Sequence, residues 1–364
     1  MKVEIYSFFS GVGILDLGFS DIGFDIVSVN EINKKFLDAY IFSRKNHLID
    51  LVPKYGYNNI NIRNYLDDNE WNHLCPEYKN TAQTLVGFIG GPPCPDFSTA
   101  GNNRGAKGIN GQLTGVYIDL IIKREPDFFV FENVRGLYAT KKHKIYYDYL
   151  KRKLYRAGYS LFDSIENALW YGAPQDRERL ILVGFKRKRF GKRIRFKIGA
   201  NRIYTMKEIS QCNWPKETPF CEASVLSVPN HIIKELTAQY WFLQNDVLHH
   251  PNGHDCFRIK NKVKYYTIPE GCIRGKSFKR LHRWRYSPTA AYGNNEVHLH
   301  PYFPRRLSVA EVLAIQSLPK NFILPENMSL SEKFKMIGNG VPYLLSKGIA
   351  LDIRQWFREN GYIM

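Results

Sequence analysis

The stretch Val3-Glu4-Ile5-Tyr6-Ser7-Phe8-Phe9 runs directly into Ser10-Gly11-Val12-Gly13. β-branched and aromatic residues dominate its first part, which predicts a buried strand, and the glycines predict a turn. Apolar residues at helical spacing follow from Ile14 to Phe19, ahead of Gly23. A strand, a glycine turn and a helix in this order let backbone N–H groups at the helix N-terminus approach a ligand. The stretch therefore predicts an α/β fold that opens on a ligand-binding turn.

A second strand is predicted from Ile26 to Val29, and it ends in Asn30-Glu31. A carboxylate in that place can accept hydrogen bonds from ribose hydroxyls, so we expect an adenosine-containing ligand. The dinucleotide fingerprint G-x-G-x-x-G would need glycine at position 16, where Asp16 stands. A nicotinamide cofactor is therefore disfavoured, and a plain turn without a ligand is the other alternative.

The rest of the chain is organised around the loop Gly90–Ser98, GGPPCPDFS, which follows a predicted buried strand from Thr84 to Ile89. Two glycines and two prolines end the strand abruptly and stiffen the loop. We therefore expect Cys94 to be presented as a nucleophile. The next residues, Ser98–Gly108, are small, polar and cationic, which is typical of a mobile segment that closes over a polyanion. The alternative is a turn with an incidental cysteine.

Strands and helices continue to alternate, which predicts a doubly wound α/β sheet. Asp127–Phe131 is a predicted buried strand that ends in Glu132. Because active sites of parallel sheets lie at the carboxyl ends of the strands, we expect Glu132 at the active edge. The other predicted elements are the helices Lys34–Asn46, Val116–Lys123 and 143–157, and the strands Asn58–Ile62, Tyr159–Leu169 and Arg179–Phe185.

The composition indicates a nucleic-acid partner. The 364 residues are enough for two domains, and 52 Lys and Arg against 34 Asp and Glu give a net charge of +18. Aromatic residues make up 14% of the chain, and a basic, aromatic surface suits a large polyanion better than a small acidic metabolite. The opening segment is too short and too charged for a signal peptide, and no apolar run reaches membrane-spanning length. We expect a soluble, unexported protein.

The cysteines and histidines do not predict a metal site. The six cysteines show no C-x-x-C pair and no dense framework, which favours a reducing cytosol. His249, His250, His254 and Cys256 match no standard zinc spacing, so we expect a solvated loop there and no metal.

A second, irregular, basic domain is predicted after Lys186. Eight of the fourteen residues from Gly184 to Lys197 are Lys or Arg, and we expect the run Lys186–Lys197 to bind phosphate or to be solvated. Arg274–Tyr286 interleaves six Lys and Arg with aromatic side chains, and we expect it to read bases. After this domain, a Ser308 cap predicts a helix to Ile315, and a final amphipathic helix to about Phe357 is expected beside the first helix.

Six motifs, in order, resemble those of the DNA (cytosine-5)-methyltransferase family, and the resemblance covers the chain except its middle basic region. The motifs are Phe9-Ser10-Gly11-Val12-Gly13, Gly91-Pro92-Pro93-Cys94, Glu132-Asn133-Val134, Gln175-Asp176-Arg177-Glu178-Arg179, Arg306-Leu307-Ser308 through Gln316-Ser317-Leu318-Pro319, and Gly338-Asn339-Gly340-Val341. Three positions depart from the family pattern: Pro95 replaces Gln, Asn61 replaces Asp and Ile14 replaces Gly.

The resemblance implies a Rossmann-like, doubly wound methyltransferase domain (residues 1–185 and 301–364) and an inserted DNA target-recognition domain (residues 186–300). It implies methyl transfer from S-adenosylmethionine to carbon 5 of a flipped-out cytosine, leaving S-adenosylhomocysteine. A Cys94 thiolate at carbon 6 would make carbon 5 nucleophilic. The implied catalytic residues are Cys94, Glu132, Arg177 and Arg179. The implied cofactor-binding residues are Phe9, Ser10, Gly11, Gly13, Glu31, Asn61, Ile62, Pro92, Asn339 and Val341. The expected DNA-binding residues are Ser98, Arg104, Gln175, Arg274, Lys279, Arg280, Arg283 and Arg285.

The resemblance further implies the modification enzyme of a bacterial type II restriction-modification system. The expected partner is double-stranded DNA, with no membrane and no stable complex with a cognate endonuclease. The protein is expected to be a cytoplasmic monomer that joins the nucleoid when it acts. Three rival functions are a tRNA cytosine-5 methyltransferase, a catalytically silent DNA-binding regulator and an NAD-linked oxidoreductase.

Overall fold

The computed structural model describes residues 1–46, 52–78, 83–93, 109–258, 262–275, 277–289 and 297–363. In these ranges the strands are β1 (Lys2–Phe8), β2 (Asp25–Asn30), β3 (Tyr57–Asn58), β4 (Thr84–Gly90), β5 (Phe128–Val134), β6 (Tyr159–Asn167), β7 (Gln175–Asp176), β8 (Glu178–Lys186), β9 (Lys279–Arg280), β10 (Ser287–Pro288) and β11 (His298–Leu299).

The helices of the described ranges are α1 (Ile14–Ser20), α2 (Lys34–Asn46), α3 (Asp68–Leu74), α4 (Ile109–Arg124), α5 (Arg135–Ala139), α6 (Lys141–Arg156), α7 (Arg187–Phe190), α8 (Met206–Gln211), α9 (Ala238–Gln244), α10 (Lys262–Thr267), α11 (Val309–Ile315), α12 (Leu330–Asn339) and α13 (Tyr343–Glu359). Short 3₁₀ helices lie at Ile62–Leu66, Ala168–Tyr171 and Lys234–Leu236.

Seven of the described strands form one sheet in the order β3-β2-β1-β4-β5-β8-β6. The first five are parallel, whereas β8 runs antiparallel to both β5 and β6. The order reverses direction at β1, which has β2 on one side and β4 on the other. Ligands of doubly wound sheets bind beyond the carboxyl ends of the strands at such a switch point. The predicted doubly wound α/β fold is confirmed, with the antiparallel β8 as an addition that the sequence did not indicate.

Both faces of the sheet are covered by helices. One core includes Phe19 of α1 and Phe357 of α13, and the other includes Tyr117 of α4 and Leu154 of α6. Because apolar side chains cover both faces, the central strands are apolar along their whole length, as β5 shows.

The last long helix packs beside the first, as predicted. A Cβ atom on Gly18 would lie 2.4 Å from the Oγ atom of Ser346, so the two helices approach more closely than any larger residue would permit. The Ser346 hydroxyl donates to the Leu15 carbonyl across the contact. A Cβ atom on Gly340 would lie 2.5 Å from Ile14, which places the last motif of the chain against the start of α1.

The predicted bounds of α2 and the Ser308 capping box of α11 are confirmed, and β4 begins at Thr84 as predicted but extends one residue further, to Gly90. The predicted strand Asn58–Ile62 is wrong, because Asn61 ends it by capping the 3₁₀ helix that follows: its Oδ1 atom accepts from the Arg63 backbone N–H at 3.0 Å. A side chain that bonds the local backbone competes with strand pairing in this way.

The chain between α7 and α11 has short helices and two-residue strands in its described parts. Its segment His249–Cys256, predicted to be a solvated loop, instead docks on the C-terminal helices through its middle residues. Asn252 exchanges two hydrogen bonds of 2.9 Å with the backbone of Leu324, and Asp255 lies 2.7 Å from the buried Lys333. Among the described residues, no helix combines the length and the apolar composition needed to cross a membrane.

Candidate active site

Two loops and the end of a third strand meet at the carboxyl edge of the sheet. Phe8 at the end of β1 pairs with Gly90 at the end of β4, and Gly90 pairs with Phe131 in β5. The glycine turn after β1, the proline loop after β4 and Glu132 of β5 are therefore neighbours.

The glycine turn has the backbone that its sequence predicts. Phe9, Gly11 and Gly13 all have positive φ angles, of 54°, 57° and 83°. A Cβ atom on Gly13 would lie 2.4 Å from the Tyr40 ring, so this position must be glycine. A Cβ atom on Gly11 would meet nothing within 4 Å, so the turn faces open space there. A ligand can approach the backbone at that point.

Glu31 holds the glycine turn from the end of β2. Its carboxylate accepts from the backbone N–H groups of Gly11 and Asn33, each at 2.8 Å. Burial raises the pKa of the Glu31 carboxyl, although these backbone hydrogen bonds oppose the shift. Each carboxylate oxygen has further lone pairs, so Glu31 can also accept from a ligand hydroxyl beside Gly11.

A buried polar cluster that sequence reasoning missed lies behind the glycine turn. Asp16 accepts from the Ser7 hydroxyl at 2.8 Å and from the Tyr40 hydroxyl at 3.0 Å. Arg44 donates to the Gly13 carbonyl at 3.0 Å. The pKa of the Asp16 carboxyl is raised by burial, and Arg44 opposes this effect. The available sequence signal is an acidic residue inside the apolar helical pattern Ile14–Phe19.

Glu132 and Arg179 form an ion pair, with Arg179 Nε 2.9 Å from Glu132 Oε1. Val134 is opposite Arg179 in the β5–β8 ladder, and Glu132 is two residues earlier on the same face. The side chains of Glu132 and Arg179 are only 8% and 11% exposed. Burial raises the pKa of the Glu132 carboxyl, while Arg179 and then Arg177 oppose the shift. The Glu132 carboxylate is thus paired with the Arg179 guanidinium in a site that is largely shielded from solvent.

The proline loop begins directly against Glu132. A Cβ atom on Gly91 would lie 2.5 Å from the Glu132 Oε2 atom, so glycine leaves the room that this carboxylate occupies. Asn133 donates to the Pro92 carbonyl at 3.4 Å, a long hydrogen bond that ties the loop to β5. Three predicted site residues, Cys94, Ser98 and Arg104, lie outside the described residues.

Arg177 and Gln175 are interior residues. Arg177 is 1% exposed and donates to the carbonyls of Gly338 and Gly340 at 2.6 and 2.9 Å. Gln175 is fully buried, and its amide lies 3.3 Å from the Gln316 side-chain oxygen. The structure therefore corrects two expectations: Arg177 joins the Gln175–Arg179 motif to the last motif of the chain, and Gln175 is not at the surface for DNA.

The remaining expected cofactor residues divide between surface and core. Ser10 donates to the Asn30 carbonyl at 3.2 Å, next to Glu31. Ile62 and Val341 are 3% and 4% exposed, whereas Asn339 is exposed at the end of α12.

Two of the arginines expected to contact DNA are buried within the irregular region. Arg280 is fully buried and donates to the carbonyls of Ile268 and His300 at 2.8 and 2.5 Å. Burial lowers the pKa of Arg280 to about 10. Arg283 makes hydrogen bonds of 2.9 and 2.8 Å to the two carboxylate oxygens of Glu270. The expectation that these two residues reach DNA is corrected, because their donors already have interior partners.

The other three expected residues of this region are more accessible. Arg274 is 80% exposed at its side chain and lies 2.6 Å from Glu217. The guanidinium of Arg285 lies 5.3 Å from the centre of the Tyr286 ring, and Lys279 is half-buried. Strand β10, directly after Tyr286, pairs with β7, so Arg285 lies next to a junction with the Gln175–Arg179 motif.

The fold and the edge geometry are those of a Rossmann-like methyltransferase. Residues 3–355 match the family model described as C-5 cytosine-specific DNA methylase. Type II methyltransferase M.NmeDI of Neisseria meningitidis serogroup C is 51% identical over 99% of this chain and 85% of that protein. Type II methyltransferase M.FnuDI of Fusobacterium nucleatum is 30% identical over 99% of this chain and 97% of that protein.

Two solved structures share the fold. The S. pombe Dnmt2 methyltransferase has a TM-score of 0.60 at 13% identity, and the Entamoeba histolytica methyltransferase EhMeth has a TM-score of 0.58 at 16% identity. Each comparison covers 99% of both chains. The family match over almost the whole chain shows that this protein belongs to the C-5 cytosine-specific DNA methylases. It is a DNA cytosine-5 methyltransferase.

Proposed function

We propose that the protein transfers a methyl group from S-adenosylmethionine to carbon 5 of a flipped-out cytosine in a specific duplex sequence, through a covalent Cys94 adduct. The observation that carries this proposal is the buried Glu132–Arg179 pair. It lies beside Gly91, three residues before Cys94, on the sheet edge that also carries the glycine turn.

The residues of the glycine turn fit an adenosine-containing methyl donor. Gly11 faces open space, and the buried Glu31 carboxylate beside it can accept from ribose hydroxyls. Asn61 replaces the expected aspartate and uses its oxygen as a helix cap, so it would offer the adenine amino group a weaker acceptor. When bound, S-adenosylmethionine supplies the electrophilic methyl group that is transferred to carbon 5 of the base.

Side chains of the protein supply the attacking electron pair and transfer the proton in this reaction. The Cys94 thiolate adds to carbon 6 of cytosine, and the electron pair of the broken double bond makes carbon 5 nucleophilic. The Glu132 carboxyl gives a proton to N3 of the ring, and Arg179 keeps that carboxyl in place and can donate to O2. After carbon 5 is methylated, its proton leaves to water, the bond to Cys94 breaks, and Glu132 regains the N3 proton.

Sequence recognition is assigned to residues 200–300, the part of the predicted recognition domain after the basic run Lys186–Lys197, because the catalytic motifs do not differ with target sequence. Arg285 and Lys279 are our candidates for base contacts, and Arg274 for phosphate. Changing a base-reading arginine to alanine should cost about 1–3 kcal/mol and relax one position of the target site.

We propose that this activity marks a host's sites in a type II restriction-modification system in the bacterial cytoplasm. We propose further that the enzyme acts as a monomer, without a stable endonuclease complex.

Methyl transfer from tritiated S-adenosylmethionine tests the reaction and the substrate together. Duplex DNA, single-stranded DNA and tRNA are offered separately, and the modified nucleosides are separated after digestion. The proposal predicts label in 5-methyldeoxycytidine from duplex DNA. Label mainly in tRNA, or on the exocyclic amine of cytosine, would overturn it, and Glu132→Gln is the matched inactive control.

A further inference from the structure

A cationic surface lies at the end of the sheet opposite to the active edge. In β8, Arg179 pairs with Val134 at the active edge, and Lys186 pairs with Tyr159 at the other end. The seven-residue separation of Arg179 and Lys186 corresponds to about 23 Å along a strand. The chain after Lys186 begins at that far end, where Arg189 lies 3.4 Å from the sulfur of Met1, just before β1. It has returned toward the active edge by Arg202, which bonds Glu166 opposite Arg179.

The backbone of residues 193–198 is held in place by contacts with the protein core. From residue 193 to 198 the side chains alternate, with cations outside and Ile194, Phe196 and Ile198 against the core. The Trp356 indole donates to the Arg195 carbonyl at 2.9 Å, and the Phe196 ring lies 5.0 Å from that of Phe185. Its exposed cations, here called the far-edge stripe, are Lys188, Lys192, Arg193, Arg195 and Lys197.

No cation of the far-edge stripe makes an ion pair with a described residue. The acidic groups packed nearby have other partners. Asp352 accepts from the Gly199 backbone at 2.6 Å, and the buried Glu166 accepts from Arg202 at 2.8 Å. Five like charges on a pinned segment repel one another and destabilise the fold when nothing neutralises them. A surface that is only solvated does not require five charges of the same sign held close together.

We propose that the far-edge stripe binds the phosphates of a second DNA segment while the active edge holds the segment to be methylated. DNA is this enzyme's substrate, and lysines and arginines that neutralise phosphates gain affinity by releasing counterions. The stripe begins at the Lys186 end of β8, about 23 Å along that strand from Arg179, which keeps this end of the stripe away from a duplex at Glu132. A second contact of this kind keeps the enzyme on DNA while it moves between target sites. This role goes beyond the proposed reaction and does not depend on the Cys94 adduct.

The test compares a stripe variant, R193Q/R195Q/K197Q, with a control that loses the same charge elsewhere, K45Q/K320Q/K335Q. All six side chains are exposed, so both variants should fold. Sedimentation with a short, target-free duplex at low salt counts the duplexes bound to each protein. Wild type and control should bind two, and the stripe variant one. The weaker binding event of wild type and control should depend on salt with a log–log slope of up to about 4.5 in magnitude, the value for five phosphate contacts.

A second measurement uses methylation rates on intact plasmid and on the same plasmid sheared into short fragments. Wild type and control should methylate the intact plasmid faster, and the stripe variant should lose that advantage while keeping its rate on fragments. Two duplexes bound to the stripe variant would overturn the proposal. So would an equal loss of rate on fragments and plasmid, which would place the stripe at the active edge. Failure of all proteins to methylate, with the binding difference intact, would count against the proposed reaction and leave the second site standing.

Discussion

Arg179 places its Nε atom 2.9 Å from Oε1 of Glu132, across two strands that run in opposite directions. The antiparallel β8 makes this possible, because it begins at the active edge where β5 ends, so Arg179 near its start lies beside Glu132. Glycine at position 91 then leaves space for the second carboxylate oxygen. The pair therefore depends on the sheet topology and on the proline loop together, and it fixes where a base would be held.

Glu132→Gln should lower the single-turnover rate on the order of 10²–10⁴-fold while DNA binding is retained, because the amide cannot give N3 a proton. Burial raises the pKa of the Glu132 carboxyl, so its protonated fraction falls as pH rises through that pKa. The wild-type rate should therefore decline toward high pH, and the variant should not show this decline. A variant within tenfold of wild type, or with the same pH profile, would contradict the role of Glu132.

Arg177→Ala should mainly lose stability, whereas Arg179→Ala should mainly lose activity. Loss of Arg177 leaves the carbonyls of Gly338 and Gly340 without their donor, which should lower the free energy of unfolding by about 2–5 kcal/mol. Loss of Arg179 should mainly remove activity, because Arg179 pairs with the Glu132 carboxylate at the active edge and, in the proposed mechanism, donates to the base. Urea unfolding and single-turnover rates separate the two. An Arg177→Ala protein of wild-type stability that is only inactive would show that Arg177 acts at the base.

Asp16→Asn should weaken the donor site without disabling the chemistry. The amide keeps one acceptor for Ser7 or Tyr40 but loses the charge that faces Arg44, so the glycine turn is held less firmly. We expect S-adenosylmethionine to bind about 5–30-fold more weakly, with the rate at saturation unchanged. Tyr40→Phe, which keeps the ring against Gly13, is the milder control. A lower saturated rate with unchanged binding would contradict this positioning role.

His298 should make folding stability depend on pH. Burial lowers its pKa to about 3, and Lys279 and Arg306 add to the shift. The unfolded chain, with an ordinary histidine near pKa 6.5, binds more protons between these values, so stability falls as pH drops through that window. His298→Gln should remove up to about 1.4 kcal/mol per pH unit from the slope. Urea unfolding between pH 7 and 4 checks this, and an unchanged slope would contradict it. The exposed His249→Gln is the control.

Local signals in the sequence were sufficient for much of the fold. The alternation of buried strands and helices, the glycine turn and the Ser308 cap are short-range patterns, and the structure has each of them. The direction of β8 was not predictable, because an apolar strand has the same composition whether it runs parallel or antiparallel to its neighbour.

The identities of the site residues could be predicted from the sequence better than their positions in the structure. The motif Gln175–Arg179 contains three predicted site residues. Gln175 and Arg177 are buried and join other segments, whereas Arg179 pairs with Glu132. In the basic run Arg274–Tyr286, Arg280 and Arg283 have the same composition signal as Arg285, and only their tertiary partners distinguish structural from surface arginines. Asp16 was misjudged because its partners lie on two other elements.

Covalent trapping tests the central claim, attack of Cys94 on a cytosine held at the Glu132–Arg179 pair. Duplex DNA in which cytosine is replaced by 5-fluorocytosine cannot lose its carbon-5 substituent, so the adduct should persist once the methyl group has been transferred. With S-adenosylmethionine present, we expect a complex that survives denaturation and a peptide mass that places the DNA on Cys94. Cys94→Ser should give none, because a hydroxyl is far less ionised than a thiol. No complex with wild type, or one that forms equally with Cys94→Ser, would contradict the mechanism.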